Sequence, residues 1–348
     1  MNNEISYSSI AEIHSALTHK AYSPRELFDY IQDIESNWKE GVAQDRIQGS
    51  ETDYHNLSVE FSRQNCAPFA AAIATIGVGV YPMSTDLLAD VIKYSQEIGD
   101  SESCKAGIKQ LKDIDRKYWK WRTFVFVIDF FKDSLSSSAN IQEYESNLKE
   151  AEHFIAEFKK YIPHEERAYF AEAELHLNQN DYDSAITVLN TAINNIAVAP
   201  QCCLRLADIY LQLGQYDQVE KIAKKGLLAS IQEQPSASVG YVYYLLAMAM
   251  DAKRIIKKQT GMSIEKSEIK AILTAYQTAD RLFVNEGRSS VAYRNTIKSK
   301  CIIIEMEEGI SLSKDTTMPE SESDKESSQL RLNDLLALRN LLEKNRGE

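Results

Sequence analysis

The stretches ERAYFAEAELHLNQNDYDSAITVLNTAINNIAVA (166–199) and PQCCLRLADIYLQLGQYDQVEKIAKKGLLASIQE (200–233) superimpose at a spacing of 34 residues. Tyr169 falls on Cys203, Ala173 on Ala207, His176 on Tyr210, Asn180 on Gly214 and Tyr182 on Tyr216. Ala185 then meets Val219, Leu189 meets Ala223, Ala192 meets Gly226 and Ile193 meets Leu227. Each unit reads as two helices joined at Asn180-Asp181-Tyr182 or Gly214-Gln215-Tyr216. Helix axes approach closely only where side chains are small, which Ala173, Ala185, Ala192, Ala207, Ala223 and Gly226 supply. Gly214 suits the left-handed conformation that ends a helix, and Asn180 is its usual substitute. Such a helix pair cannot bury its apolar face alone and must stack on neighbours.

These residues and this period resemble the tetratricopeptide repeat family, clearly over 166–233 and more loosely over the flanking chain. The usual first-helix Trp is replaced by Tyr169 and Cys203. The resemblance implies a helical solenoid whose concave groove is lined by the first helix of each repeat. The groove positions it implies are Arg167, Phe170, Glu174 and Leu177; then Gln201, Leu204, Asp208 and Leu211; then Tyr241, Tyr244, Met248 and Asp251. Some members grip a C-terminal carboxylate with cations there. Here Phe170 and Leu204 stand in the place of a key cation, and Glu174 and Asp208 would repel a carboxylate. A mixed apolar and acidic groove fits an amphipathic helix with basic flanks. The competing expectation is that Phe170, Leu204 and Tyr244 pack against the next repeat.

Composition agrees with an all-α fold. Hydrophobic residues make up 44% of the 348, ample for a continuous core, and only 13 Gly and 7 Pro punctuate the chain. The net charge of −12 argues against a general nucleic-acid surface. Cys66, Cys104, Cys202, Cys203 and Cys301 form no CxxC pair, which points to reduced thiols and a cytoplasmic setting, with no metal site. The six His residues show no HExxH spacing, and no GxSxG, Walker or GxGxxG motif occurs. No enzyme and no cofactor are expected. The N-terminus lacks the features of a signal peptide. The apolar run APFAAAIATIGVGV (67–80) is shorter than the roughly 20 residues a membrane helix needs, so it is expected to be a buried helix.

Elsewhere, helices are expected over 8–17 and 24–38, the second with Ser23 as cap, Pro24 in the first position and Glu26 closing a capping box. SIAEIHSALTHKAYSPRELFDYIQDIE (9–35) resembles the N-terminal helices of amidase-signature enzymes. No Gly-Gly-Ser-Ser segment or Ser-Ser-Lys set follows, so the likeness implies a shared helix pair and no amidase site. A polar loop is expected over 41–52, a helix over 54–65, and a degenerate repeat over 87–114. The aromatic stretch 118–135 reads as a core helix whose Lys and Arg snorkel. Further helices are expected over 141–161, through 240–258, over 264–284 and over 290–307, the last as a cap. Lys253, Arg254, Lys257 and Lys258 are expected on a solvated helix face.

Residues 311–328, SLSKDTTMPESESDKESS, lack the apolar content to offset ordering. QLRLNDLLALRNLLEK (329–344) follows, with Leu332, Leu335, Leu336 and Leu342 on one helical face, widened by Leu338 and Leu341. The expected organisation is a divergent helical region (1–115), tetratricopeptide-like repeats (116–308), a disordered acidic linker (309–328) and a Leu-rich terminal helix (329–348). The tail helix is expected to dock on its own solenoid, block the groove or bind another protein. The function expected is a non-catalytic scaffold or adaptor for a protein or peptide, with a peptide-responsive regulatory sensor as the alternative and an amidase-like enzyme as the remote one.

Overall fold

Asn65, Gly99, Asn180 and Gly214 all adopt positive φ, at 60°, 78°, 60° and 71°. Each closes a helix with the same two bonds. The N–H of the left-handed residue reaches the carbonyl three residues back, and the next N–H reaches the carbonyl five residues back. At Gly214 these are Gly214 N to Leu211 O at 3.1 Å and Gln215 N to Tyr210 O at 2.8 Å; at Asn65 they are Asn65 N to Ser62 O and Cys66 N to Phe61 O, both 2.9 Å. This arrangement satisfies carbonyls that the helix end would otherwise orphan.

The computed structural model describes residues 7, 9–39, 49–197, 199–232, 238–284 and 291–310. Among them are fifteen α-helices and no strand. The chain forms two compact units, Met1–Val188 and Leu189–Glu348. The first holds α1 (Ile10–Thr18), α2 (Pro24–Lys39), α3 (Glu51–Arg63), α4 (Ala67–Val80), α5 (Thr85–Glu97), α6 (Ser101–Lys112), α7 (Trp121–Ser136), α8 (Ile141–Tyr161) and α9 (Glu166–Asn178). Helix α10 (Tyr182–Asn195) spans the boundary. The second holds α11 (Pro200–Gln212), α12 (Tyr216–Gln232), α13 (Ser238–Gln259), α14 (Lys266–Phe283) and α15 (Val291–Glu308).

The helix starts at Glu166 and Tyr182 recur 34 residues on at Pro200 and Tyr216, as the sequence spacing requires. The same step relates Glu51 and Ala67 to Thr85 and Ser101. Regular helix pairs therefore begin at α3, whereas the sequence reading assigned this region only one degenerate repeat. Helix α3 also starts earlier than expected, inside the polar stretch, because Ser50 and Asp53 form a capping box. The expected box at Ser23 and Glu26 is present, with Ser23 N to Glu26 Oε2 at 2.8 Å and Glu26 N to Ser23 Oγ at 3.3 Å.

In the first unit, α1, α3, α4 and the start of α2 enclose Ile13, Leu17, Leu27, Phe61 and Ile73, all fully buried or nearly so. The Ala-rich α4 is a core helix, with Ala70, Ile73 and Ala74 fully buried. A second cluster fills the space between α5 and α9. There Trp119 stacks on Phe154 at 5.8 Å and Phe124 on Phe158 at 4.9 Å. In the second unit, α11 pairs with α12 and α13 with α14, and α15 packs on α14. Gly226 lets α12 approach α11, since a Cβ there would stand 2.9 Å from Cβ of Cys203. The acidic linker (309–328) lies outside the described residues apart from its first two, and the Leu-rich tail with Leu332, Leu335, Leu336 and Leu342 lies wholly outside them.

Candidate peptide-binding surface

The first helices of successive pairs in unit one, α3, α5, α7 and α9, lie side by side. A polar ladder ties three of them. Asp90 on α5 is fully buried and takes bonds from His55 Nδ1 on α3 at 2.5 Å, Arg122 Nη2 on α7 at 3.0 Å and Ser58 Oγ on α3 at 3.3 Å. Arg122 Nη1 stands 3.1 Å from His55 Nε2. A buried carboxylate needs such partners, and these fix the lateral register of the row.

Two stripes of side chains share the face beside this ladder. Helix α9 contributes the sequence-predicted Arg167, Phe170, Glu174 and Leu177, all half-buried. Helix α7 contributes Arg122, Phe126 and Asp129, half-buried, with exposed Asp133. The Arg167 guanidinium lies 4.0 Å from the centre of the Trp121 ring and Nη1 donates to Glu165 Oε1 at 2.6 Å, so its charge is held against α7. Shielding from water holds the Asp129 carboxyl above its usual range; Lys132 at 3.4 Å opposes this, while Asp133 and Glu174 add repulsion. Asp133 accepts from Gln96 Nε2 on α5 at 2.5 Å, and Lys93 Nζ sits 5.7 Å above the Phe126 ring. Phe126, Asp129 and Asp133 were not foreseen from the sequence. They occupy positions 126, 129 and 133 of a helix whose Phe-rich stretch reads as core throughout.

In unit two, the predicted positions are largely engaged within the protein. Leu204 is buried, Gln201 exposed and Asp208 half-buried. Asp208 accepts from Arg205 Nη1 at 2.8 Å, Gln212 Nε2 at 3.2 Å and Tyr241 Oη at 3.4 Å. Tyr241 and Tyr244 both meet Tyr293 of α15, at 5.4 and 5.2 Å between ring centres. Burial, with the Asp208 charge second, pushes the Tyr241 hydroxyl far above its usual range. Tyr276 Oη donates to Met248 Sδ at 3.2 Å. Asp251, the last predicted groove position, is buried.

The expected solvated basic face on α13 is instead a set of ties. Arg254 is 3% exposed and pairs with Asp251 at 3.0 Å, with Glu307 at 3.0 Å and with Glu308. Lys253 pairs with Asp217 at 2.5 Å and Glu220 at 2.6 Å, and Lys257 with Glu268 at 2.6 Å. Apart from Asp251 of α13 itself, the acidic partners come from α12, α14 and α15, elements whose approach the local charge run does not reveal. A cleft of about 430 Å³ beside these cations is thus lined by neutralised charges with Met250, Ala271 and Ile272. At the aromatic stretch, Arg116 just before it covers the buried Trp119 at 4.1 Å and Lys120 within it pairs with Asp86, so these cations serve the protein itself. Among the described residues no three His, Cys, Asp or Glu side chains converge as metal ligands, and no helix is long and apolar enough to cross a membrane.

The family model for the anaphase-promoting complex, cyclosome, subunit 3, matches residues 145–226, a stretch running from α8 into α12. No curated protein matches the chain. Among solved structures, a tetratricopeptide repeat protein from Parabacteroides merdae is similar at 14% identity and a TM-score of 0.47, over 84% of this chain and 99% of that one. A thermophilic tetratricopeptide repeat protein from Thermus thermophilus is similar at 14% identity and a TM-score of 0.45, over 59% of this chain and 100% of that one.

Proposed function

We propose that this chain is a tetratricopeptide-repeat protein of divergent sequence and acts as a non-catalytic scaffold or adaptor in the cytoplasm. Its ligand is an amphipathic helix or peptide with basic flanks, received on the first-helix face of unit one. The observation that carries this reading is the pairing of half-buried Phe126 and Phe170 with Asp129, Asp133 and Glu174 on adjacent helices. Aromatic rings offer area to an apolar helix face at low entropic cost, and carboxylates beside them select Lys and Arg. In unit two, Leu204, Asp208, Tyr241, Tyr244 and Met248 act chiefly in holding α11, α13, α14 and α15 together, and Gln201 stays on the exposed side of α11. The Leu-rich tail is a second docking element, carried by the same chain.

The test is co-purification with the full chain, quantified by mass spectrometry, against Phe170→Ala and Glu174→Lys variants that melt like the parent. A protein retained by the parent and lost from both variants supports the reading. A set of interactors unchanged by either substitution overturns it.

A further inference from the structure

Helix α15 is the last described helix and is covered on one side only. Ile297 and Ile304 are buried, whereas Ile302, Ile303 and Met306 are 56%, 48% and 80% exposed. In each earlier pair a first helix is covered by the second helix that follows it: α11 by α12, and α13 by α14. Helix α15 follows α14 where the first helix of a further pair belongs, and its exposed apolar turns lie at the end from which such a partner would return. What the chain carries beyond Glu308 is a Ser- and Glu-rich segment and then QLRLNDLLALRNLLEK, with seven Leu residues at 330, 332, 335, 336, 338, 341 and 342.

We propose that residues 329–344 fold back as an antiparallel helix on α15 of the same chain and complete its helix pair, with Leu332, Leu335 and Leu336 on Ile302, Ile303 and Met306. The inference rests on the reading of 329–344 as an amphipathic helix and is independent of the ligand proposed for unit one. The dimensions agree. A helix of that length spans about 24 Å and α15 about 27 Å. Residues 311–328 reach about 60 Å when extended, more than enough to return the chain. Tethering also favours this occupant, because a segment on a short leash competes at millimolar effective concentration.

Hydrogen exchange on the full chain at two concentrations tests this, with two pairs of substitutions: Ile302→Glu with Met306→Glu, and Leu335→Glu with Leu336→Glu. Both pairs leave Ile297 and Ile304 in place. The expected result is that amides of 332–342 exchange at least about tenfold more slowly than in the free peptide. This protection should be equal at both concentrations and lost in both variants. Protection that is absent, that survives the α15 substitutions, or that grows with concentration overturns the proposal, the last by assigning the contact to a second copy. Binding of the unit-one ligand, measured on the same samples, can fail without altering this outcome.

Discussion

Arg122 donates from Nη2 to Oδ1 of the fully buried Asp90 over 3.0 Å, and the same guanidinium faces His55 Nε2 at 3.1 Å. Because Arg can only donate, His55 must accept at Nε2 and donate from Nδ1 to Asp90. The three residues thus form a closed circuit across α3, α5 and α7. Arg122→Met should cost about 2–3 kcal/mol in urea unfolding, since it removes the guanidinium that pairs with a buried carboxylate. Asp90→Asn should cost less than Arg122→Met, because it removes the charge that needs a partner.

The turn residues make a sharper comparison. Gly214 and Asn180 hold equivalent positions at φ 71° and 60°. Gly214→Ala should lose about 1–2 kcal/mol, the penalty of a side chain in left-handed backbone. Asn180→Gly should change stability by less than about 0.5 kcal/mol, because both residues accept that conformation. Equilibrium denaturation of the two variants decides it.

At Gly226 propensity and packing oppose each other. Alanine would improve helix propensity by about 1 kcal/mol. Its Cβ would also stand 2.9 Å from Cβ of Cys203, and overpacking of that kind costs about 1–3 kcal/mol. The Cys203 Cβ belongs to a fixed helix and cannot rotate away, so Gly226→Ala should lower the thermal midpoint.

Two carboxylates should respond to pH with opposite sign. The Ser184 hydroxyl and backbone N–H hold the Asp181 carboxyl below its usual range. Its cap is therefore present at neutral pH and lost as pH falls through that lowered value. Asp181→Ala should destabilise at pH 7, with the difference vanishing in acid. Asp129 is held above its usual range, so its ionised form burdens the folded state at neutral pH. Asp129→Asn should stabilise at pH 7, and the gain should disappear below the ordinary carboxylate range, where the parent is protonated folded and unfolded alike. Urea midpoints across a pH series check both.

The sequence made the central helix pairs legible because Asn180, Gly214, Tyr182, Tyr216 and the alanines repeat by residue type. The pairs at α3–α4 and α5–α6 keep the same step with different residues, Asn65 against Gly99 and Glu51 against Thr85, so only the turn positions carried a signal. The ladder was hidden for another reason. Periodicity tells which face of a helix is apolar, but not which polar group will meet another across a row. A cue did exist, since many cross-helix bonds join residues about one repeat apart: His55 to Asp90, Lys253 to Glu220 and Tyr241 to Asp208 are separated by 35, 33 and 33 positions. For the proposed surface, Arg167, Phe170 and Glu174 were named through the resemblance. Phe126 and Asp129 were masked by the apolar run that holds them.

Asp100 and Asp181 each serve two helices at once. The backbone N–H of each closes the helix behind it, while its carboxylate accepts from Ser103 N at 3.1 Å or Ser184 N at 3.0 Å and opens the helix ahead. Such a junction contains no slack, so a hairpin can settle its own geometry before any distant segment arrives. Contacts of this range favour rapid folding. They also mean that the row of first helices is built from parts each of which is already shaped when it meets its neighbour.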